Sequence, residues 1–354
     1  MQSMPNDTRM PDLIEAMDRQ IRLCARLYLH LTKATIGRFG DEGEKTVRQG
    51  LRELGVWRAR EMQAAHHALG KPIDMQSLTQ YWDNASTFLV KDDMEAEGHF
   101  TPYDVRFDVA YCPAAEAWKE DDFRRWGHVY CDEFHQACAS SYHPDGNVVI
   151  PLNLMKGDEH CQFRWIMPPD ASVLDTGEPT AFGKRLARDY APASELEGAW
   201  MTLRRSNRLF GGWYIALAGV VMERHGHEPI VEALRNWGAD RGRRLRALHS
   251  EKGIPHDAKN FTRHHDLPVA QVWSVRTPDR PNNPFTAIIE NSPQDDAFSD
   301  YHLEELGVLF YEESYPTMLE SYLPHATLRW TALKCRGDSV NQFEIDTGSG
   351  TTGI

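Results

Sequence analysis

Cysteine is scarce in this chain and unevenly spread: six among 354 residues, at 24, 112, 131, 138, 161 and 335, five of them in the first half. No secretory leader is expected ahead of them, because the first residues are polar and carry Asp7, Asp12 and Glu15. Reduced thiols are therefore expected rather than a disulfide framework, and the expected localisation is cytoplasmic. Long apolar runs are missing too. The longest, Leu209 to Met222, has 14 residues including three glycines, too short to span a bilayer, so no membrane partner is expected. Positive charge is in deficit: 39 Lys and Arg against 52 Asp and Glu leave a net −13. Nucleic acids and anionic membranes need a positive field, so neither is expected as a partner. The cluster Arg241, Arg243, Arg244 and Arg246 reads first as a solvated helix face. Core-forming residues are plentiful: 41% hydrophobic, with 10 Trp, 12 Tyr and 14 Phe, enough for two sizeable cores.

The chain also says nearly the same thing twice. Residues 43–74 and 226–257 run in step at an offset of 183, with eleven of 32 pairs identical, among them Gly55/Gly238, Arg58/Arg241, Arg60/Arg243, His66/His249 and Asp74/Asp257. From 113–163 against 293–343 the offset is 180, and eleven more pairs match, including Gly127/Gly307, Glu133/Glu313, Tyr142/Tyr322, Gly157/Gly337 and Asp158/Asp338. Unrelated sequences would give about three matches per window, so a tandem duplication is the economical reading. It supplies an internal control. Residues kept in both copies are expected to serve the fold; residues reactive in one copy and inert in the other are candidates for chemistry.

Each copy reads helix, helix, extended pair, helix, extended pair. Helical spacing covers 11–36 and 42–69, then 199–224 and 228–251, with stops at Gly70-Lys71-Pro72 and Gly253-Ile254-Pro255. Alternating stretches follow, then a long helix at about 114–142 and 294–322, then a hairpin turning at Gly157-Asp158 or Gly337-Asp338. The expected fold class is α+β: a tandem repeat of a helix-helix-β-hairpin-helix-β-hairpin unit, with small antiparallel sheets packed by helices and a pseudo-two-fold axis. The expected boundaries are repeat 1 at 1–167, a proline-rich linker at 168–197, and repeat 2 at 198–354.

On the third helix, His128, Cys131, His135 and Cys138 fall on one stripe at spacings of three, four and three. Alone this resembles a metal face. The matching stripe in the second copy is Val308, Tyr311, Tyr315 and Met318, ordinary packing residues, so both stripes are expected to face an interior. The four positions span roughly 15 Å at 1.5 Å per residue, so one metal could use only two of them. No CxxC or HExxH pattern supplies the remaining ligands. Three cysteines of the first copy have inert counterparts: Cys112 against Ser292, Cys131 against Tyr311, and Cys161 against Asn341. His128, Asp132, Glu133, Asp158 and His160 stand near them in sequence. Thiol, imidazole and carboxylate gathered in one copy suit a nucleophilic or acid–base site. The Gly-Asp pairs, present in both copies, are accounted for by the turn itself.

The stretch from YCPAAEAWKEDDFRRWGHVYCDEFHQACASSYHP to LNLMKGDEHCQFRW resembles the L-2-amino-thiazoline-4-carboxylic acid hydrolase family. The resemblance rests on a cysteine before a helix, a glycine, a second cysteine, a proline turn, and a Gly-Asp-x-x-Cys-x-Phe ending at Gly157, Asp158, Cys161 and Phe163. The upstream helices with Gly55 and Gly70 also look like that domain. More distantly, the hairpin resembles 4-vinyl reductase-type ligand-binding domains. The family resemblance implies hydrolytic opening of a small cyclic amidine-like ring, with a small molecule as the partner. It puts Cys112, Cys131 and Cys161 in the site, Glu133 and Asp132 as candidate carboxylates, and His128 or His160 as proton carrier. A substrate carboxylate would be gripped by arginine, with Arg58, Arg60, Arg241 and Arg243 as candidates. No cofactor is expected. The rival reading is a small-molecule sensor holding a haem-like ring without turnover, with His128 or His135 as axial ligand. Homo-oligomerisation is left open.

Overall fold

The computed structural model describes residues 4–84, 99–172, 174, 176–277 and 284–348. Helix and sheet are mixed, with two small antiparallel sheets of four strands each. The first half begins with helix α1 (Met10–Ala68), broken at Gly40, whose φ of 52° and ψ of −127° are not helical. The chain reverses so tightly there that a Cβ on Gly43 would lie 2.6 Å from the Thr35 carbonyl. Then follow α2 (Met75–Gln80), β1 (His99–Phe100), β2 (Asp104–Val109), α3 (Pro113–Glu120), α4 (Arg124–Tyr142), β3 (Asn147–Val149) and β4 (Cys161–Ile166). A connecting stretch carries the short α5 (Ala181–Ala187).

The second half has α6 (Glu195–His225), α7 (Glu228–Glu251), α8 (Ala258–Arg263), β5 (Ser274–Arg276) and β6 (Phe285–Asn291). It ends with α9 (Pro293–Asp300), α10 (Glu304–Tyr322), β7 (Thr327–Ala332) and β8 (Asn341–Asp346). The strand orders are β1-β2-β4-β3 and β5-β6-β8-β7. In each sheet the strand before the paired helices lies against the last strand: Phe107 opposite Phe163, and Ala287 opposite Phe343.

Many residues shared by the halves do the same local work. Asp74 and Asp257 cap α2 and α8, accepting from Ser77 N and Asn260 N at 2.7 Å each. The His66 ring bonds Tyr142 Oη at 2.8 Å, as His249 does Tyr322. Asp158 accepts from Asn153 N and Asp338 from Leu333 N across turns whose glycines, 157 and 337, have φ of 99° and 92°. The continuous helix expected over 114–142 is instead two. Asp122, at φ 51°, ends α3, and Phe123 N bonds back to the Trp118 carbonyl at 2.7 Å. His302, at φ 55°, makes the matching break between α9 and α10, with Leu303 N on Phe298 O. A residue in the left-handed region stops a helix without glycine or proline, which explains why spacing alone misses it.

The halves share one buried core. Helix α6 lies against α1 so closely that a Cβ on Gly212 would strike the Trp57 ring, while one on Gly50 would press on Leu217. Helix α6 also starts earlier than the expected position 199, because Ser194 caps it, accepting from Glu197 N. No helix among the described residues is long and apolar enough to cross a membrane.

Candidate active site

A cavity of about 300 Å³ opens in the first half against the seam with α6. One wall is β4, whose alternation turns Cys161, Phe163 and Trp165 inward and Gln162 and Arg164 outward. Helix α4 contributes Cys131, Phe134 and His135, spaced to share a face. Cys112 stands at the start of α3, and the loop before β4 adds Asn153, Leu154 and Met155. The floor comes from α1, with Gln20, Cys24 and Arg58, and from α6, with Ser206, Leu209 and Trp213. Trp82 and Trp165 meet edge to face at 5.5 Å, and Tyr130 stacks on Phe134 at 5.1 Å, so flat apolar surface dominates the lining.

The thiols are held in their neutral form. Burial pushes Cys131 well above the ordinary thiol range, with Cys161 and Cys112 adding to the effect and the Asn153 amide opposing it. Cys161 is pushed up to about 11, chiefly by burial, although its sulfur accepts from Leu154 N at 3.3 Å. Burial raises Cys112 too, against the pull of the first N–H groups of α3 at Ala114 and Ala115. His135 is a neutral imidazole, because burial drives it down to about 4. Its Nδ1 donates to the Cys131 carbonyl at 2.8 Å, a partner that can only accept, so Nε2 is left as an acceptor. Arg58 is clamped by Asp83, with Nε 3.0 Å from both carboxylate oxygens and Nη2 on Oδ1, and its guanidinium lies 4.6 Å from the Trp82 ring centre.

The structure therefore brings Cys112, Cys131, Cys161 and Arg58 to one cavity. The other residues singled out from the sequence stand elsewhere. Glu133 pairs with Arg48 at 2.9 Å and Arg52 at 2.6 Å, and Glu313 pairs with Arg235 at 2.7 Å in the same way. Asp132 is exposed and pairs with His128 at 3.1 Å. His160 faces Asp108 at 3.5 Å. Arg60 is exposed, Arg243 meets Asp240 at 3.6 Å, and Arg241 is buried in the second half against Asp266. Asp158 is taken by the Asn153 backbone. Sequence reasoning offered His135 only as an axial ligand in the rival reading and left it out of the catalytic set, because its counterpart, Tyr315, reads as packing. It also passed over Ser206, Leu209 and Trp213, for which only the fold gives a signal. No group of three or more His, Cys, Asp or Glu side chains among the described residues is placed to hold a metal ion.

In the second half the residues matching Cys131 and Cys161 at the offset of 180 are buried against one another. Tyr311, at the position of Cys131, is fully buried, and its hydroxyl donates to Asp295 at 2.5 Å while accepting from Gln294 at 3.1 Å. Asn341, at the position of Cys161, donates to the other Asp295 oxygen at 2.7 Å. Asp295 and Gln294 replace Ala115 and Ala114 at the offset of 180. Side chains that would be absent from the first half thus meet here in a closed network.

Residues 20–165 match the family described as L-2-amino-thiazoline-4-carboxylic acid hydrolase. No curated protein and no solved structure matches the chain. The matched segment runs from Gln20 on the cavity floor to Trp165 on its wall and includes all three cysteines and His135. The first half of the chain is thus similar to the L-2-amino-thiazoline-4-carboxylic acid hydrolase family, whose description is that of a hydrolase.

Proposed function

We propose that the chain is a hydrolase that opens a small cyclic amidine-like ring in the first-half cavity, the thiazoline of the family description being the first ring to try. We further propose that the two halves arose by tandem duplication, are related by a pseudo-two-fold axis, and that only the first copy kept the chemistry. The observation carrying this reading is the contrast between a cavity lined by three thiols and a neutral imidazole and a second half where Tyr311 and Asn341 bond Asp295.

The neutral state of these groups suggests their order of action. Attack at a ring carbon flanked by two heteroatoms needs a nucleophile, a base to take its proton, and an acid for the departing atom. His135 Nε2 is the available base, and either a water or the Cys131 thiol is the nucleophile whose proton it takes. As the new bond to carbon forms, the C=N electron pair moves onto nitrogen. The pair on that nitrogen then returns to carbon as the bond to the departing ring atom breaks, and a second thiol, Cys161 or Cys112, gives its proton to that atom. In the water route the proton held by His135 restores that second thiol. In the thiol route a water adds to the same carbon, the Cys131–carbon bond breaks, the proton on His135 returns to Cys131, and the proton released by the water restores the second thiol. With buried thiols held protonated, an acid role costs nothing in the resting site, whereas a nucleophilic role requires the proton to pass to His135 as attack occurs. Glu133, Asp132, His128 and His160 take no part in this scheme.

The test is turnover of 2-amino-thiazoline-4-carboxylate and related thiazoline and hydantoin rings by the full chain, with His135→Gln and Cys131→Ser alongside. The reading expects ring opening by the native chain and at least about a hundredfold loss in each variant. No ring opening by the native chain, or undiminished rates in both variants, contradicts it.

A further inference from the structure

Asn153 is satisfied at every polar atom but one. Its backbone N donates to Asp158 Oδ2 at 2.6 Å, its carbonyl accepts from Lys156 N at 2.8 Å, and its side-chain Oδ1 accepts from Met155 N at 2.8 Å. The bond to Met155 N fixes which end of the amide is oxygen, because a flipped amide would set one donor against another. The remaining Nδ2 is buried with nothing to bond, on a residue that is 1% exposed and lines the cavity. A buried donor left open costs more than a bond made, so it marks a place where an acceptor arrives.

The turn itself does not ask for an amide. At the offset of 180 the residue is Leu333, which makes the same backbone bonds: its N donates to Asp338 Oδ2 at 2.8 Å and its carbonyl accepts from Arg336 N at 2.8 Å. The next N–H is met on both sides as well, by Cys161 Sγ at Leu154 and by Asn341 Oδ1 at Lys334. Nor does the bond to Met155 N need an amide, since an aspartate oxygen would serve. What asparagine adds is the N–H. That group stands beside the thiols: the Cys161 sulfur lies 4.0 Å from Oδ1 of the same amide, and the amide opposes the rise of Cys131. Gln20 Nε2, Trp165 Nε1, Ser206 Oγ and Trp213 Nε1 are also buried, unpartnered donors on residues lining the cavity, and they suit acceptors on an occupant's other edges. Asn153 is singled out by its place at the sulfurs.

Resting on the hydrolase reading of this same site, we propose that Asn153 is a further catalytic residue: its Nδ2–H donates to the negative charge that gathers beside Cys131 as the ring is attacked, on the ring nitrogen that receives the C=N pair or on the sulfur itself. The amide transfers no proton. Because the donor is in place before the charge forms, its effect falls on the transition state and not on the binding of the ring.

The experiment compares the native full chain with Asn153→Asp and Asn153→Leu at pH 8, on 2-amino-thiazoline-4-carboxylate and hydantoin. Aspartate keeps an oxygen for Met155 N but, once ionised, has no hydrogen to donate; leucine copies the second half. The proposal expects each variant that melts as a folded protein to lose kcat by at least about a hundredfold while KM changes by less than about threefold. A native kcat in Asn153→Asp would reduce Asn153 to a brace for Met155, and a native kcat in a folded Asn153→Leu would leave the N–H idle. Either overturns the proposal, as does a loss borne by KM alone. Alkylation of Cys131 by iodoacetamide, read by peptide mass, is followed on the same proteins and is expected to be at least about threefold slower in the variants, whose thiolate has lost its donor. If the native chain opens no ring, the hydrolase reading falls and this rate decides alone. Slower alkylation then keeps Asn153 as the donor to charge at Cys131, and an unchanged or faster rate overturns both.

Discussion

Cys131 and Tyr311 hold matching positions at the sequence offset of 180 in two halves with the same strand order, yet Cys131 lines an open cavity and Tyr311 is buried in a hydrogen-bonded network. The framework around them is held in common: an Arg–Asp clamp, a His–Tyr bond, a Gly-Asp turn and an Arg–Glu pair occur on both sides. What differs is a handful of side chains pointing inward. Small thiols and alanine line a space in the first half; tyrosine, aspartate and asparagine are bonded together in the second. Identity between the halves therefore marks scaffold, and the site is written in the departures from it.

The comparison can be broken most forcefully by removing the groups that only the open side has. His135→Gln is expected to lower kcat by at least about a hundredfold, while Tyr315→Phe at the equivalent place leaves it unchanged. Steady-state rates on any ring the native chain opens decide this, and equal losses would put the chemistry in both halves or neither. A pH profile sharpens the same point. Because burial holds His135 down to about 4, it stays a base as pH falls until about that value, so its acid limb in kcat/KM is expected near 4 and not near the ordinary imidazole value of about 6.5.

A second contrast concerns stability. Burial raises Asp295 to about 6, against the partial opposition of Tyr311 and Asn341. A carboxyl with a raised folded pKa contributes stability that is complete below its unfolded value, near 4, and is lost as pH climbs through about 6. Native protein is thus expected to lose up to about 3 kcal/mol relative to Asp295→Asn between pH 4 and 7, read from denaturant midpoints at each pH. A pH-independent difference between the two would mean that the closed network does not titrate as its burial implies.

The smallest expected effects fall on the pairs that both halves keep. Glu133→Gln and Glu313→Gln are expected to cost at most about 1 kcal/mol each and to leave kcat alone, since both carboxylates hold partly exposed arginines away from the cavity. A large loss of rate from Glu133→Gln alone would return that carboxylate to the chemistry.

How much of this was legible beforehand follows the same division. Turns and helix stops could be read because glycine, aspartate and proline act locally, at Gly70, Pro72, Gly157 and Asp158 for instance. The breaks at Asp122 and His302 could not, since neither residue type announces a left-handed backbone. Cys112, Cys131 and Cys161 were found by setting one half against the other. Glu133 was grouped with them by proximity in sequence, but its pairing with Arg48 and Arg52 directs it elsewhere. His135 shares a stripe with His128, yet only His135 reaches the cavity; His128, nearer the start of α4, is tied to Asp132. The contribution of α6 was illegible because Ser206 and Gln20 reach one cavity only through the packing of helices nearly two hundred residues apart.

The most direct test of the account is to write the closed side into the open one. The triple variant Cys131→Tyr, Cys161→Asn, Ala115→Asp carries Tyr311, Asn341 and Asp295 into the first half, where the same backbone should let them bond one another. The full chain so altered is to be assayed beside the native chain on thiazoline and hydantoin rings, with its melting curve recorded. The account predicts a cooperatively folded protein that no longer opens any ring the native chain opens; a folded variant that keeps the native rate would show that the chemistry lies outside this cavity.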